Sequence, residues 1–314
     1  FSASVADAVK QVSGRSLPVS YSVQDEAEPR TEREVVAPSA PADRHPVVVP
    51  IPGVTRPVER PTIDQPAPPR FASSSSPTRP LRKLDDFVAG SGAQLATAAA
   101  REMVRSAGKA FNPLFIHAGV GLGKTHLLEG IAQGLRQAHP GLNVVLVTAE
   151  AFTNGFLEAM RTASLTSFRN RFRSANVLVV DDVHFLASKR ATQEEFLHTF
   201  NALTDRGAAI VMASDQHPRK IAKLTDELAT RFLGGMVVKI DAPDLESRRA
   251  IVRAKAAAKG VEAPAAVVDY LAENVKSSVR ELEGALQSVL AHASLSGRPL
   301  SLATARAALG ETIR

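Results

Sequence analysis

The eight residues AGVGLGKT, Ala118 to Thr125, constrain the fold of this chain more than any other stretch. They follow the apolar run Leu114–His117 and precede the amphipathic run His126–Gln137, so a strand ends and a helix begins around them. Gly119, Gly121 and Gly123 let consecutive backbone N–H groups face one point at a helix N-terminus, the arrangement that cradles a polyphosphate. Lys124 would reach the β- and γ-phosphates, the Thr125 hydroxyl would hold Mg²⁺, and His126, at the start of the helix, is expected with them and the three glycines among the cofactor-binding residues. A dinucleotide-binding turn also crowds three glycines, but it needs Gly where Lys124 stands, and that reading fails. Ala118 replaces the first glycine of the usual G-x-x-x-x-G-K-S/T pattern, a mild departure if its φ is negative and a costly one if it is not.

A loop of this kind needs a parallel sheet around it. Short apolar runs at Leu114–His117, Asn143–Thr148, Val177–Val180, Ala208–Ala213 and Val237–Ile240 supply five strands. Helical stretches separate most of them, beginning with the Ala-rich Gln94–Ala107, which predicts an α/β sheet covered on both faces. After Pro243 no strand signal appears. Asp244–Lys259, Pro264–Asn274, Ser278–Ser294 and Ser301–Leu309 read as a small helical bundle, with Asp244, Ser278 and Ser301 as N-caps and Gly260 and Gly297 as stops.

The front of the chain is different. Of 20 prolines, 14 lie in the first 83 residues. Residues 1–24 read as one short helix and one strand, too little to enclose a core, and so as the remnant of a small N-terminal domain. Residues 25–83 read as a disordered Pro-rich linker. The chain begins at Phe1 rather than Met and is read as a segment of a longer protein. The absence of Cys excludes disulfides, thiolate metal sites and thiol catalysis. No run approaches the ~18–20 apolar residues of a membrane span. The net charge of +6 permits a polyanion partner without demanding one.

A phosphate loop calls for acidic groups at the end of a neighbouring strand, and VLVVDD, Val177 to Asp182, supplies them. Asp181 would orient Mg²⁺ or its water shell, and Asp182 would polarise an attacking water. An Asp-Asp pair after a strand is otherwise an ordinary turn, so the assignment depends on the loop. The next strand ends in MASD, where Asp215 either positions water against the γ-phosphate or closes an Asx turn.

Together these stretches resemble the bacterial chromosomal replication initiator family, DnaA, within the AAA+ class. The resemblance is carried by Phe111–Ala132, Arg173–Leu203 with its string TQEEFLHTFNAL, Ala213–Ile221 and Ser277–Leu286, and it spans about Leu84 to Leu309. It implies a P-loop AAA+ domain over 84–243 and an all-α lid over 244–314, with ATP/ADP and Mg²⁺ as cofactors. By position it implies a Walker B pair at Asp181 and Asp182 and a sensor I residue at Asp215. It also implies an arginine finger at Arg231 acting on a neighbouring subunit, and a sensor II arginine at Arg280. The stretch Ala149–Ser174 matches an initiator-specific helical insertion, with Leu157 and Lys189 as single-stranded DNA contacts. Ala191 stands where a further basic contact is common, and Arg190 could substitute for it. Arg169, Arg171 and Arg173 add positive charge that reads either as a solvated face or as part of that surface, with Phe168 and Phe172 in the core. Glu227 departs from a second arginine near the subunit junction.

The expected function is an ATP-switched replication initiator: an ATPase by chemistry that hydrolyses slowly, forms a homo-oligomeric filament on origin DNA and assists strand opening. The resemblance further implies cytoplasmic location, a replicative helicase partner, contact with acidic phospholipid, and duplex recognition by a C-terminal helix-turn-helix domain absent from this chain. A regulatory paralogue or helicase loader would share the core without the N-terminal segment. A non-hydrolysing binding module would follow if Ala118 and Glu227 had eroded the site.

Overall fold

The computed structural model describes residues 80–310, so the readings of an N-terminal remnant at 1–24 and of a linker from 25 to 79 lie outside the described residues. Five strands form one fully parallel sheet: β1 (Leu114–Ala118), β2 (Val144–Thr148), β3 (Val177–Asp181), β4 (Ala209–Ser214) and β5 (Met236–Ile240). Their order across the sheet is β2-β3-β4-β1-β5. Each matches one of the five apolar runs to within a residue or two. Nearly every inward position is apolar, because both faces are covered and neither can carry charge.

Alternation along the strands divides the core in two. Leu114, Ile116 and Ala118 face helices α1 (Gln94–Ser106) and α2 (Lys124–Ala138), where Met103, Leu127, Leu128, Ile131 and Leu135 are fully buried. Phe115, Leu178, Val180, Ile210 and Met212 point to the opposite face. There α3 (Ala149–Arg161), α4 (Leu165–Arg173), α5 (Arg190–Asp205) and α6 (Asp226–Leu233) pack through an aromatic cluster centred on Phe152. Its ring centroid lies 5.1, 4.9 and 5.3 Å from those of Phe168, Phe172 and Phe196. Phe168 and Phe172 are core residues, as their spacing predicts.

Two of the three arginines in this stretch are not a solvated face. Arg169 and Arg173 both bind Glu195 of α5, with Nη2 atoms 2.8 Å from its two carboxylate oxygens, and Glu195 is only 4% exposed. This ion-paired clamp fixes the inserted α3–α4 hairpin to the core. Sequence spacing alone could not reveal it, because Glu195 comes from another helix more than 20 residues away. Arg171 lies over the Phe172 ring, 5.3 Å from its centroid.

After Pro243 the lid is entirely helical among the described residues: α7 (Leu245–Ala257), α8 (Ala265–Asn274), α9 (Val279–Ser296) and α10 (Leu302–Leu309). The three N-caps form as read. Side-chain oxygens of Asp244, Ser278 and Ser301 accept from the backbone N–H groups of Ser247, Glu281 and Thr304. Gly297 caps α9 with φ +63°, and Gly260 turns the chain three residues past α7 with φ +71°. A separate apolar core of Ile251, Val268, Leu271, Leu282, Leu286 and Val289 holds the four helices together.

The break in composition at residue 83 is not the first packed residue. Leu81 contacts the α1–α2 side of the core, and the Arg82 N–H donates to the Glu129 carboxylate at 3.2 Å. Residues 80–83, assigned to the linker by their prolines and charges, therefore already lie on the domain.

Burial alone would push Glu195 up, but hydrogen bonds and charge from Arg169 and Arg173 outweigh it and hold the carboxyl below its ordinary range. A folded-state value below the unfolded one adds stability above the unfolded pKa and loses it as pH falls through the folded value. Glu195→Gln is expected to lower stability by roughly 1–3 kcal/mol near neutral pH, the arginines being partly solvent-screened. Urea midpoints should show that gap, and it should narrow below about pH 4. A gap that stays constant through acidification would exclude the clamp.

Candidate active site

The strand order builds the site. The connection from β1 to β2 skips over β4 and β3, so the carboxyl ends of β3, β4 and β1 lie side by side at the switch in direction. Those ends carry Asp181, Asp215 and the loop that begins at Ala118. Ala118 is the last residue of β1, 2% exposed, and is not among the residues with positive φ, so it is the mild departure. Its carbonyl is functional, accepting from Lys124 Nζ at 3.0 Å.

The loop closes over Lys124. Gly121 has φ +75° and Gly123 φ +102°, both in the left-handed region that favours glycine. A Cβ on Gly121 would come within 3.0 Å of Ser278 Cβ, and one on Gly123 within 2.9 Å of the Phe87 ring. Both are therefore required twice, for φ and for space. Gly119 needs no unusual φ and meets only Leu122 Cδ1, at 3.5 Å. Gly123 precedes α2 with no side-chain cap, which leaves the first-turn N–H groups of that helix available to an anion.

Lys124 is 6% exposed, and its ammonium also binds the Gly119 carbonyl at 3.1 Å and Asp215 Oδ1 at 2.5 Å. Thr125 Oγ1 donates to Asp181 Oδ2 at 2.6 Å. Burial is the main force pushing the Asp181 carboxyl up; the Thr125 hydrogen bond opposes it and the neighbouring Asp182 charge adds to it. A hydroxyl and a buried carboxylate in contact are hard oxygen donors. Mg²⁺ takes one or two such groups and completes its shell with phosphate oxygens and water, so Thr125 and Asp181 fit that ion. Asp182 adopts φ 54°, ψ 47°, and lines the cavity. His126 borders the cavity too, but its Nε2 is bound to the Lys83 carbonyl at 2.9 Å and its ring meets Phe87 edge-on. Burial pushes its pKa down. Its place is in the wall, holding the 81–87 segment against the loop.

The cavity has a volume of about 320 Å³ and lies between sheet and lid. One part is polar, formed by Lys124, Thr125, Asp182, Asp215 and Arg280; the other is apolar, formed by Phe87, Val88, Ile240, Pro243 and Ile251. A polyphosphate joined to a flat heterocycle matches that division. Arg280, the second residue of α9, lines the cavity, and its backbone N–H donates to the Gly121 carbonyl at 3.2 Å. Loop and lid thus touch directly. Lys255 and Glu283, paired at 3.3 Å across α7 and α9, complete the lid side.

Arg231 lies elsewhere. It is exposed on α6, outside this cavity, and has no ion-pair partner among the described residues. Leu157 is 45% exposed on α3, and Lys189 is exposed just before α5. Helix α3 packs against the short 3₁₀ turn Val183–Leu186 that precedes Lys189, which puts these residues on adjoining elements. Arg190 is exposed and paired to Glu194 at 3.2 Å. Glu227 is exposed in the first turn of α6, where its charge suits the helix dipole. Sequence reasoning missed Phe87 and Lys255, which belong to no motif and reach the cavity only through folding, and His184 and Glu283, which lie inside the matching stretches without a role assigned to them.

A family described as the bacterial DnaA ATPase domain matches residues 80–239. The chromosomal replication initiator protein DnaA of Chloroflexus aurantiacus is 43% identical over 242 residues, 77% of this chain and 50% of that protein. The chain therefore spans about half the length of the curated relatives it matches. Domain III of the Thermotoga maritima replication initiation protein DnaA superposes with a TM-score of 0.73 at 38% identity, covering 76% of this chain and all of that one. A replication initiator DnaA solved with AMPPCP and single-stranded DNA superposes at 0.63 and 36% identity, covering 68% of this chain and 65% of that one.

Lys124→Ala removes the only ammonium within the loop. Affinity for a nucleoside triphosphate should fall on the order of 100-fold, as read by titration with a fluorescent nucleotide. An unchanged dissociation constant in a folded variant would remove Lys124 from the site.

Proposed function

The chain belongs to the bacterial DnaA ATPase family, and from that premise we propose that it is the ATP-switched core of a chromosomal replication initiator. The observation that carries this reading is the single cavity shared by the phosphate loop, the acidic strand ends and Arg280 of the lid. ATP binds with its adenine against Phe87 and Ile251 and its phosphates over the α2 N-terminus. Thr125 and Asp181 would hold Mg²⁺, which would supply positive charge to the bound phosphates. Asp182 and Asp215 orient water near the γ-phosphate. Arg280 pairs with that phosphate from the lid and loses a partner when it leaves, so the sheet–lid joint reports which nucleotide is bound.

Hydrolysis is slow and ends the active state. Arg231, exposed and away from its own cavity, reaches the nucleotide of a neighbouring copy in a head-to-tail filament, an interface that need not close into a ring. Leu157, Lys189 and Arg190 line the surface that holds single-stranded origin DNA, a reading supported by the solved relative bound to single-stranded DNA. Cytoplasmic location, a replicative helicase partner, contact with acidic phospholipid and recognition of duplex origin DNA belong to the same proposal.

Two measurements separate these roles. Arg231→Ala should leave ATP affinity intact and abolish ATP-dependent assembly in sedimentation; oligomers like those of the unaltered protein would rule out a finger in trans. Leu157→Ala combined with Lys189→Ala should weaken single-strand binding, and the loss should shrink as salt rises, because Lys189 contributes through counterion release. Undiminished binding at low salt would place the strand elsewhere.

A further inference from the structure

An ammonium has three N–H donors, and those of Lys124 are all engaged: with the Ala118 carbonyl, the Gly119 carbonyl and Asp215 Oδ1. A polyphosphate cannot bind Lys124 without displacing one of them. The two carbonyls belong to the end of β1 and to the loop backbone, whereas Asp215 offers a movable side chain, 30% exposed. Asp215 is therefore the partner that leaves. A carboxylate released beside a bound polyphosphate meets like charge in a confined space, which disfavours both unless another donor takes it.

That donor is already in place. His184 lines the same cavity, and its Nε2 lies 3.7 Å from Asp215 Oδ2, the oxygen that Lys124 does not hold. Its Nδ1 is buried with no hydrogen-bond partner. A proton on Nδ1 would have no acceptor, which favours the tautomer with its N–H on Nε2, toward Asp215. The ring is held by the 3₁₀ turn Val183–Leu186, which starts directly after Asp182, and by Phe185 at 4.6 Å between ring centroids.

We propose that His184 is the positioning residue for Asp215 in the nucleotide-bound site: as the polyphosphate takes Lys124, Asp215 passes from the ammonium to His184 Nε2. This rests on the nucleotide reading above and adds a step to it. The released carboxylate is kept at a defined place beside Asp182 instead of turning into the phosphates or out to solvent. His184 acts through Asp215 and touches no reacting atom.

The test compares His184→Ala and His184→Gln in single-turnover ATP hydrolysis, with ATP affinity measured separately. His184→Ala should slow hydrolysis about tenfold, with the dissociation constant for ATP changed by less than about twofold. His184→Gln, which keeps a side-chain donor, should recover most of the rate. In an Asp215→Asn background, His184→Ala should have no further effect, since the two act as one unit. An unchanged rate in His184→Ala, a parallel loss of affinity, or additivity with Asp215→Asn would each overturn the proposal. A readout free of hydrolysis separates this from failure of the nucleotide reading. Adding AMPPCP should shift the His184 side-chain nitrogen resonance in the unaltered protein and not in Asp215→Asn. Binding of AMPPCP with no such shift refutes the exchange, whereas no binding at all refutes the nucleotide site itself.

Discussion

A single buried ammonium organises this molecule. Lys124 sits almost out of solvent and can carry its charge there only because two backbone carbonyls and Asp215 surround it. Those partners come from the end of β1, the loop and the end of β4. The sheet must therefore place β1 beside β4, and the loop must turn tightly enough to bring Ala118 and Gly119 back onto the helix start. Glycine at 121 and 123 serves that turn, and each also accepts a close neighbour, Ser278 of the lid or Phe87 of the segment before α1. The charge, the loop and the covering segments depend on one another.

The second layer of the site is a matter of exchangeable partners. Asp181 is pushed up mainly by burial and eased by Thr125, an arrangement that a hard cation would relieve. Asp215 is shared between a lysine that a ligand would claim and a histidine with one orphaned nitrogen. Arg280 approaches from the lid with its own backbone bonded to the loop. Each of these contacts borders the cavity in which a polyphosphate would sit, and each lies on a different element. The sheet, the acidic turn and the lid therefore meet within a few ångströms of one another at the cavity.

Much of this was legible in the residues. The strands appear as apolar runs because both sheet faces are buried. The caps at Asp244, Ser278 and Ser301 are legible because a side-chain oxygen must accept a first-turn N–H group, and only a few residue types can. The FRNRFR stretch shows where such reading stops. Its phenylalanines are correctly core, since helical spacing decides that. Its arginines look like surface charge, and two of them instead clamp Glu195, an acid on another helix that no local pattern connects to them. The wall residues Phe87 and Lys255 escaped for the same reason, being brought to the cavity from well before and well after the loop.

By itself the sequence determined the element types, the phosphate loop with its lysine and hydroxyl, the acidic strand end, and the family to which the chain belongs. Those are local properties: periodicity, glycine at fixed offsets, capping chemistry, a continuous string of side chains. Tertiary structure alone decided which partners the charges take. Lys124 to Asp215, Arg169 and Arg173 to Glu195, and His184 facing the one oxygen that Lys124 leaves open are pairings across sequence separations that no spacing rule covers. Electrostatic contacts depend on distance in space. Here that distance was set by the order β2-β3-β4-β1-β5, in which strands far apart in the chain end side by side.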